Sequence, residues 1–372
     1  MVIIFMGLVV LGLIALQNYM YNRLWDKGLS LVIRFSSKEA FEGDSLFLQE
    51  ELSNNKFLPL PWVFIKFNAS RDLVFENDHY KNFTDAHYQS DLFSILMYQS
   101  IKRKMLFTCK KRGLYRLRNV TITCSNLLYN KRYDKNAESF AELTVFPKLI
   151  DSGDDINLIY KNLDAAILSN SIVNPDPFEF RGIREYQPTD PMRDINFKAT
   201  AVAQQLMVNI HASTSSKRLE IVLNLEYNRQ YPEFGLYEQA IRLAATMTER
   251  YIGQGVKLGL YTNGKDVATG ANVAVAAGEG SSHMYKVFQA LARIDLNFRV
   301  SHISSYLENL RNDGESPVYL VISSYFQQDF LDAVEGMKNR GINVFVIIPV
   351  QKGWDDDIDI TNTNEIRIWE AL

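Results

Sequence analysis

Leu219-Glu-Ile-Val-Leu-Asn-Leu225 is a short, nearly continuous apolar run, and the 150 residues around it decide the fold. Tyr237 to Tyr251 follows, with Ala240, Ile241, Ala244, Met247 and Tyr251 on one helical face. Val256 to Tyr261 is again strand-like. Met284, Val287, Phe288 and Leu291 mark a second helix, and Pro317 to Ile322 another strand. Phe330, Leu331, Val334 and Met337 mark a third helix closed by Gly341, and Ile342 to Ile348 is almost wholly apolar. Apolar strands alternating with amphipathic helices predict a parallel sheet covered on both faces, a doubly wound α/β domain over residues 216–372. Ligand sites in such a sheet lie at the strands' C-terminal ends.

The preceding part of the chain has a different rhythm. Between residues 28 and 150, period-two alternation runs through Leu31-Ile33-Phe35, Ser45 to Leu52, Trp62 to Phe67, Lys104 to Cys109, Leu114 to Cys124 and Glu142 to Phe146. Gly43-Asp44 and Arg112-Gly113 supply turns. About six short strands without a helical period predict an Ig-like β-sandwich. Residues 71–99 are polar and aromatic and read as a long loop or an insertion.

At the N-terminus, Val2 to Leu16 holds no charged or strongly polar residue, and the apolar stretch reaches Tyr21. About twenty helical residues cross a hydrocarbon core of about 30 Å, so residues 1–21 are predicted to span a membrane once. No basic residue precedes the run and no small-x-small cleavage site follows it, which argues against a signal peptide. Tyr19, Tyr21 and Trp25 suit an interfacial aromatic belt. Arg23, Lys27, Arg34 and Lys38 all follow the span, which places the remaining chain in the cytoplasm. Cys109 and Cys124 are then reduced thiols, and the sequons at Asn68, Asn82 and Asn119 carry no glycan.

The chain has 372 residues, 47% of them hydrophobic, which suits two modest domains plus extras. Its formal charge of −3 excludes a strongly basic nucleic-acid binder. Two cysteines cannot make a disulfide framework or a Cys-based zinc site. The five histidines show no metalloprotease spacing. Gly259 to Lys265 fits the outline of a phosphate loop, but Asp266 stands where a magnesium-holding Ser or Thr belongs, so a strand and an Asn-Gly turn are expected. Asp355, Asp357 and Asp359 open like a calcium loop, but Ile360 and Ile366 occupy its glycine and glutamate positions.

A connector over residues 151–215 holds the most peculiar segment, Phe178 to Ala201, dense in charge. Asp190 and Pro191 suit the start of a helix continuing through Ala199 to Leu206. Arg181, Arg184, Glu185, Asp190, Arg193, Asp194 and Lys198 read either as an ion-pair network that shapes a docking face or as a solvated face.

This segment resembles the signature of the domain of unknown function 58 family, roughly G-x-R-x-Y-x-x-G-D-x-x-R-x-I-x-W-x-x-x-A. Gly182, Arg184, Tyr186, Asp190, Arg193, Ile195, Lys198 and Ala201 match the pattern. Thr189 replaces its usual glycine, and Phe197 replaces its tryptophan while keeping an apolar anchor. A Lys-Arg-Gly-x-Tyr stretch at Lys111 to Tyr115 adds to the likeness. The resemblance implies that the α/β domain is von Willebrand A-like and that its partner is a MoxR-type AAA+ ATPase, together with other membrane proteins of the same system. Metal-binding von Willebrand A domains carry Asp-x-Ser-x-Ser after the first strand. Here Glu226, Asn228 and Gln230 stand in that region, and Ser323 and Ser324 follow a later strand where an aspartate is usual. That set is a degenerate metal site, since hard cations need a tight oxygen cage, so no metal and no cofactor is expected. Glu226 and Asn228 then belong to a polar protein-docking surface. The expected function is a non-catalytic, membrane-anchored scaffold or adaptor. Its rivals are a metal-dependent adhesion module and a hydrolase with Asp190 and Glu185 as acid and base.

Overall fold

The computed structural model describes residues 2–76, 86–137, 141–151, 153–173, 180–188, 190–211, 217–226, 234–310, 317–351 and 366–371. The chain divides into two compact units, Met1–Lys148 and Leu149–Leu372.

The first unit opens with helix α1 (Val2–Leu24), of which Ile3–Leu24 is long and apolar enough to cross a membrane. The strands that follow are β1 (Leu29–Phe35), β2 (Glu39–Phe41), β3 (Ser45–Asn54), β4 (Leu60–Ser70), β5 (Leu73–Phe75) and β6 (Ala86–Ile95). Then come β7 (Gln99–Cys109), β8 (Gly113–Arg116), β9 (Arg118–Ser125), β10 (Arg132–Ala137) and β11 (Glu142–Phe146). They form two four-stranded sheets, β1-β3-β7-β5 and β10-β9-β4-β6, and a three-stranded sheet β2-β11-β8. The alternation of β3 and β4 turns Leu48 and Leu52 from one sheet, and Val63, Ile65 and Phe67 from the other, into one buried core.

Three sequence expectations change here. Residues 71–99 are not simply a loop, because β5 and β6 lie among them and β6 pairs along β4. The inward positions of β6 are Asp91, Phe93 and Ile95, all buried, and the carboxylate at the first hides the apolar alternation. Arg103 Nη1 lies 2.8 Å from Asp91 Oδ1 and offsets that charge. Leu114 to Cys124 is not one strand: the chain changes sheets at Leu117, with β8 on β11 and β9 on β4. Tyr21 and Trp25 are not an open aromatic belt, since both are buried in the sandwich core. Tyr21 Oη donates to Pro59 O at 2.7 Å, and Trp25 stacks on Tyr133 at 5.8 Å. Tyr19 remains exposed.

The second unit begins with α2 (Asp154–Val173), β12 (Phe180–Glu185), a 3-10 turn (Met192–Asp194), α3 (Phe197–Ala203) and β13 (Met207–His211). The sheet follows: β14 (Arg218–Asn224), α4 (Phe234–Gly253), β15 (Lys257–Asp266), β16 (Asn272–Gly278), α5 (Ser281–Ala292) and β17 (Ile294–Asp295). It is completed by α6 (Ser304–Asn309), β18 (Val318–Ser323), α7 (Gln328–Asn339), β19 (Val344–Val350) and β20 (Ile366–Glu370). The sheet order is β16-β15-β14-β18-β19-β20, with β17 pairing the end of β15. All neighbours from β15 to β20 along that order are parallel, and β16 is an antiparallel edge. Val222, Val321 and Val346 pack with Leu307, Phe330 and Met337 of α6 and α7. The alternate residues of the same strands point to the other face, where α4 lies along β14 and β15. Both faces are therefore covered, as the apolar runs demand.

Candidate functional site

Winding outward from β14, the chain goes first to β15 on one side and later to β18 on the other. The C-terminal ends of β14 and β18 are thus the topological switch point, where open α/β sheets bind ligands. Four buried polar residues meet there: Asn224, Asn263, Glu226 and Ser323. Register pairs Asn224 with Ser323, and Asn224 Nδ2 donates to Ser323 Oγ at 3.0 Å. Asn263 Nδ2 donates to Asn224 Oδ1 at 2.8 Å and to Ser301 O at 2.8 Å, while Asn263 Oδ1 accepts from Leu225 N–H at 2.9 Å. Ser323 Oγ donates to Tyr325 O at 2.7 Å and accepts from Tyr325 N–H at 3.1 Å.

Glu226 follows at the mouth of this network. Its Oε1 accepts from Ile303 N–H at 2.6 Å, and its Oε2 meets His302 Nδ1 at 2.8 Å. The carboxylate is buried, whereas the His302 ring is 77% exposed. Nearby, Tyr325 Oη donates to Asp329 at 2.8 Å, and burial, helped by that carboxylate, pushes the phenol well above its usual range. Ser324 is buried beside Ser323. The oxygens of Glu226 and Ser323 are engaged by groups of this chain, so a cation would have to displace several hydrogen bonds to reach them. Among the described residues, no three His, Cys, Asp or Glu side chains cluster with metal-holding geometry. Asn228 and Gln230 lie outside the described residues.

Asn224, Asn263 and His302 escape the sequence reading. Asn263-Gly264 is not a turn: both lie within β15, and the reversal comes later, where Asp266 Oδ1 accepts from the N–H groups of Ala268 and Thr269. A Cβ at Gly264 would lie 2.6 Å from Leu225 Cδ1 and 2.9 Å from Ile294 Cγ2, so a larger residue there would have to displace those side chains. His302 reaches Glu226 only through folding, from 76 residues away.

The signature segment forms a separate feature. β12 and β13 pair antiparallel, with Glu185 opposite Met207. Arg184 grips Asp190 with both terminal nitrogens, each bond 2.6 Å, and donates to Glu185 O at 2.9 Å. Asp190 Oδ2 also accepts from Gln187 N–H at 2.8 Å. These bonds, Arg184 first, hold the Asp190 carboxyl below the usual carboxylate range. They close the turn after β12, and Tyr186 N–H donates to Leu206 O to tie it to the start of β13. Gly182 sits at a register shift in β12.

The wider network is smaller than the charges suggest. Arg193 is 82% exposed, and among the described residues its ion-pair partner is its neighbour Asp194, at 3.8 Å. Lys198 is exposed. Asp190 does not cap the helix, because Arg184 and Gln187 use its oxygens. Asn196 caps α3 instead, accepting from Ala199 N–H at 2.9 Å. The helix stops at Ala203, where Gln204 turns left-handed, short of the expected Leu206. Phe197 is not an anchor: it is 77% exposed, and Phe180, Met192, Val202 and Leu206 are exposed with it. Thr189 lies outside the described residues.

Cys109 and Cys124 are buried free thiols, pushed up to about 11 and about 12 by burial, which suits inert core residues.

Solved structures similar to part of this chain are β-rich domains. The CARDB domain of a Pyrococcus furiosus protein, crystallised with di-metal ions, is 12% identical, covering 32% of this chain and 94% of its own, with a TM-score of 0.22. The seventh ScaB type I cohesin of Pseudobacteroides cellulosolvens is 19% identical, covering 33% and 96%, with a TM-score of 0.24. A non-cellulosomal cohesin of Archaeoglobus fulgidus is 11% identical, covering 34% and 96%, with a TM-score of 0.22. No curated protein matches the chain. Residues 182–357, which run from the signature glycine across most of the α/β sheet, match the family described as "Protein of unknown function DUF58".

Proposed function

We propose that this chain is a non-catalytic, membrane-anchored scaffold or adaptor. In this reading α1 is a single membrane span, residues 28–150 are an Ig-like sandwich, and residues 216–372 are a von Willebrand A-like module held in the cytoplasm. Its partner is a MoxR-type AAA+ ATPase, and the pair acts as a chaperone-like assembly device for envelope or membrane proteins. ATP hydrolysis belongs to the partner.

The observation that carries this reading is the apolar surface of the signature segment. Met192, Phe197 and Val202 are 76%, 77% and 83% exposed beside a turn held shut by Arg184 and Asp190. Large apolar side chains on a rigid turn are the anatomy of an interaction surface rather than of a reaction centre. The switch point supports the same view: Glu226 is oriented by a backbone N–H and an exposed His302, and its serine neighbour is committed to structural bonds. A tether adds an advantage of its own, since confinement to the membrane raises the effective concentration of the module near membrane clients.

Affinity capture of the full-length protein in mild detergent, with and without ATP, tests the proposal. An AAA+ ATPase is expected to be enriched by the wild type, with recovery falling at least about tenfold, or about 1.4 kcal/mol of binding, for Val202→Asp. Equal recovery by both forms, or no ATPase at all, contradicts it.

A further inference from the structure

The sandwich carries a second set of exposed apolar residues, at the end where α1 enters. β3 and β7 are antiparallel, so the end of β3 and the start of β7 lie together, and β4 and β9 place the 55–59 and 126–131 loops at that same end. Asn126 Nδ2 donates to Asn18 Oδ1 of α1 at 2.7 Å, and Lys56 Nζ donates to Trp25 O at 2.8 Å. The 96–98 turn joins them, since Tyr98 N–H donates to Lys56 O and Asn54 Nδ2 to Leu96 O.

Each of these three loops ends in large apolar or aromatic side chains. Phe57, Leu96, Tyr98, Leu127 and Leu128 are 69%, 60%, 70%, 54% and 54% exposed. At the other end of the sandwich the turns among the described residues include Gly43-Asp44, Arg71-Asp72 and Lys110-Lys111, tied by Gly43 N–H to Cys109 O and Lys110 N–H to Asp72 O. Those turns carry small or charged residues, and the apolar side chains beside them, Phe41 and Val74, are 37% and 44% exposed, less than those at the helix end. Backbone conformation adds an independent sign. Tyr98 and Tyr129 sit at φ 51° and 54°, where a glycine or asparagine is favoured. A bulky aromatic held in that region at two of the three tips indicates a side chain kept for what it does.

We propose that these three tips form a membrane-interface platform, resting in the headgroup layer of the leaflet from which α1 emerges. The proposal depends on α1 being a membrane span. Leu16 ends the uninterrupted apolar run, and Tyr21, already inside the sandwich core, lies only about 8 Å further along the helix axis. The headgroup region is about 5 to 8 Å thick on each side of the hydrocarbon. The docking of Asn18, Tyr21 and Trp25 thus brings the tips to that layer with little freedom to leave it. The chemistry fits a lipid surface. Tyr98, Tyr129 and Trp62 are amphipathic rings of the kind enriched at membrane interfaces, and Trp62 meets Tyr129 edge-on at 5.7 Å. Lys131 and Arg132 flank them, with the Arg132 guanidinium 5.2 Å above the Tyr129 ring, and offer positive charge to anionic headgroups. The platform would fix the sandwich against the bilayer, so that the tether positions the domain instead of merely retaining it.

Spin labels on the full chain in vesicles of three parts phosphatidylcholine to one part phosphatidylglycerol test this. Phe57→Cys, Tyr98→Cys and Leu128→Cys report the tips, Leu11→Cys the helix, and Asp44→Cys the far end; the two native thiols are buried. Collision with a water-soluble nickel chelate is expected to be several-fold lower at the tips than at Asp44→Cys, with oxygen collision raised, and the protection should weaken in vesicles lacking phosphatidylglycerol. A lipid-embedded Leu11→Cys with tips as nickel-accessible as Asp44→Cys overturns the platform and leaves the anchor standing. A water-accessible Leu11→Cys overturns the anchor itself. Tips shielded from nickel and oxygen alike, whatever the lipid, mark a contact with protein, such as a second copy, and also overturn the proposal.

Discussion

Raising the pH from 5 to 8 is expected to weaken the β-sandwich, by on the order of 4 kcal/mol. The cause is Glu50, which alternation turns inward on β3. Its residue is 1% exposed, and among the described residues neither carboxylate oxygen has a hydrogen-bond partner. Asp91 of β6 adds a second carboxyl nearby, and Arg103 of β7, opposite Glu50 in register, is bonded to Asp91. Burial first, and the Asp91 charge second, push Glu50 from 4.5 up to about 8, against the pull of Arg103. Asp91 is raised as well, chiefly by burial. The sign follows from proton counting. In the unfolded chain Glu50 gives up its proton near pH 4.5, while in the folded chain it keeps it to about pH 8. The folded state therefore binds more protons across that window, and stability is full below it and falls as pH rises through it. Glu50→Gln keeps the shape without the titration and should flatten the profile. Amide exchange of β3 and β7, corrected for intrinsic rates at each pH, reads the sandwich alone. Stability rising with pH would show that the carboxyl is ionised and paired.

Phe107→Ala is expected to cost the same domain about 3 to 5 kcal/mol. Phe107 is fully buried on β7, between β3 and β5, and faces the core shared by the sheets. Phe35 meets it edge-on at 5.6 Å and Phe75 lies tilted at 5.4 Å. Truncation removes the transfer energy of a ring and leaves a cavity lined by two other rings that cannot both move in. Phe47→Ala is the control, because Phe47 is 43% exposed on the neighbouring strand, and little change is expected there. Denaturant unfolding of the two variants, followed by the same β7 amides, checks the contrast. A loss below about 1 kcal/mol for Phe107→Ala would place the core elsewhere.

The α/β sheet was legible because its signals are strong. β18 and β19 are nearly unbroken apolar runs, β14 is interrupted within its apolar stretch only by Glu220, and α4, α5 and α7 carry apolar stripes at helical spacing. α2 holds a comparable stripe at Ile156, Ile159, Tyr160, Leu163 and Ile167, but it sits in a connector whose reading is dominated by the charged signature. β6 was illegible because a buried ion pair occupies an inward position that alternation reserves for an apolar residue. The candidate site was half legible. Glu226 and Ser323 follow apolar strands and can be found by position. Asn263 imitates a turn, Asn224 looks like an interior strand residue, and His302 belongs to no motif. The signature charges were legible as a lock only at Arg184 and Asp190. Phe197 misled, since an aromatic residue in a motif suggests burial and here it faces solvent.

We propose that this protein meets its partner through the exposed apolar face of the signature and not through the polar switch point. Site-specific photo-crosslinking in intact cells tests it, with a benzophenone side chain placed at Phe197 in one strain and at His302 in another. An adduct with an AAA+ ATPase from position 197, absent or weak from position 302, is the predicted result. An adduct from position 302 alone, or a bare position 197 beside a captured ATPase, would contradict the account.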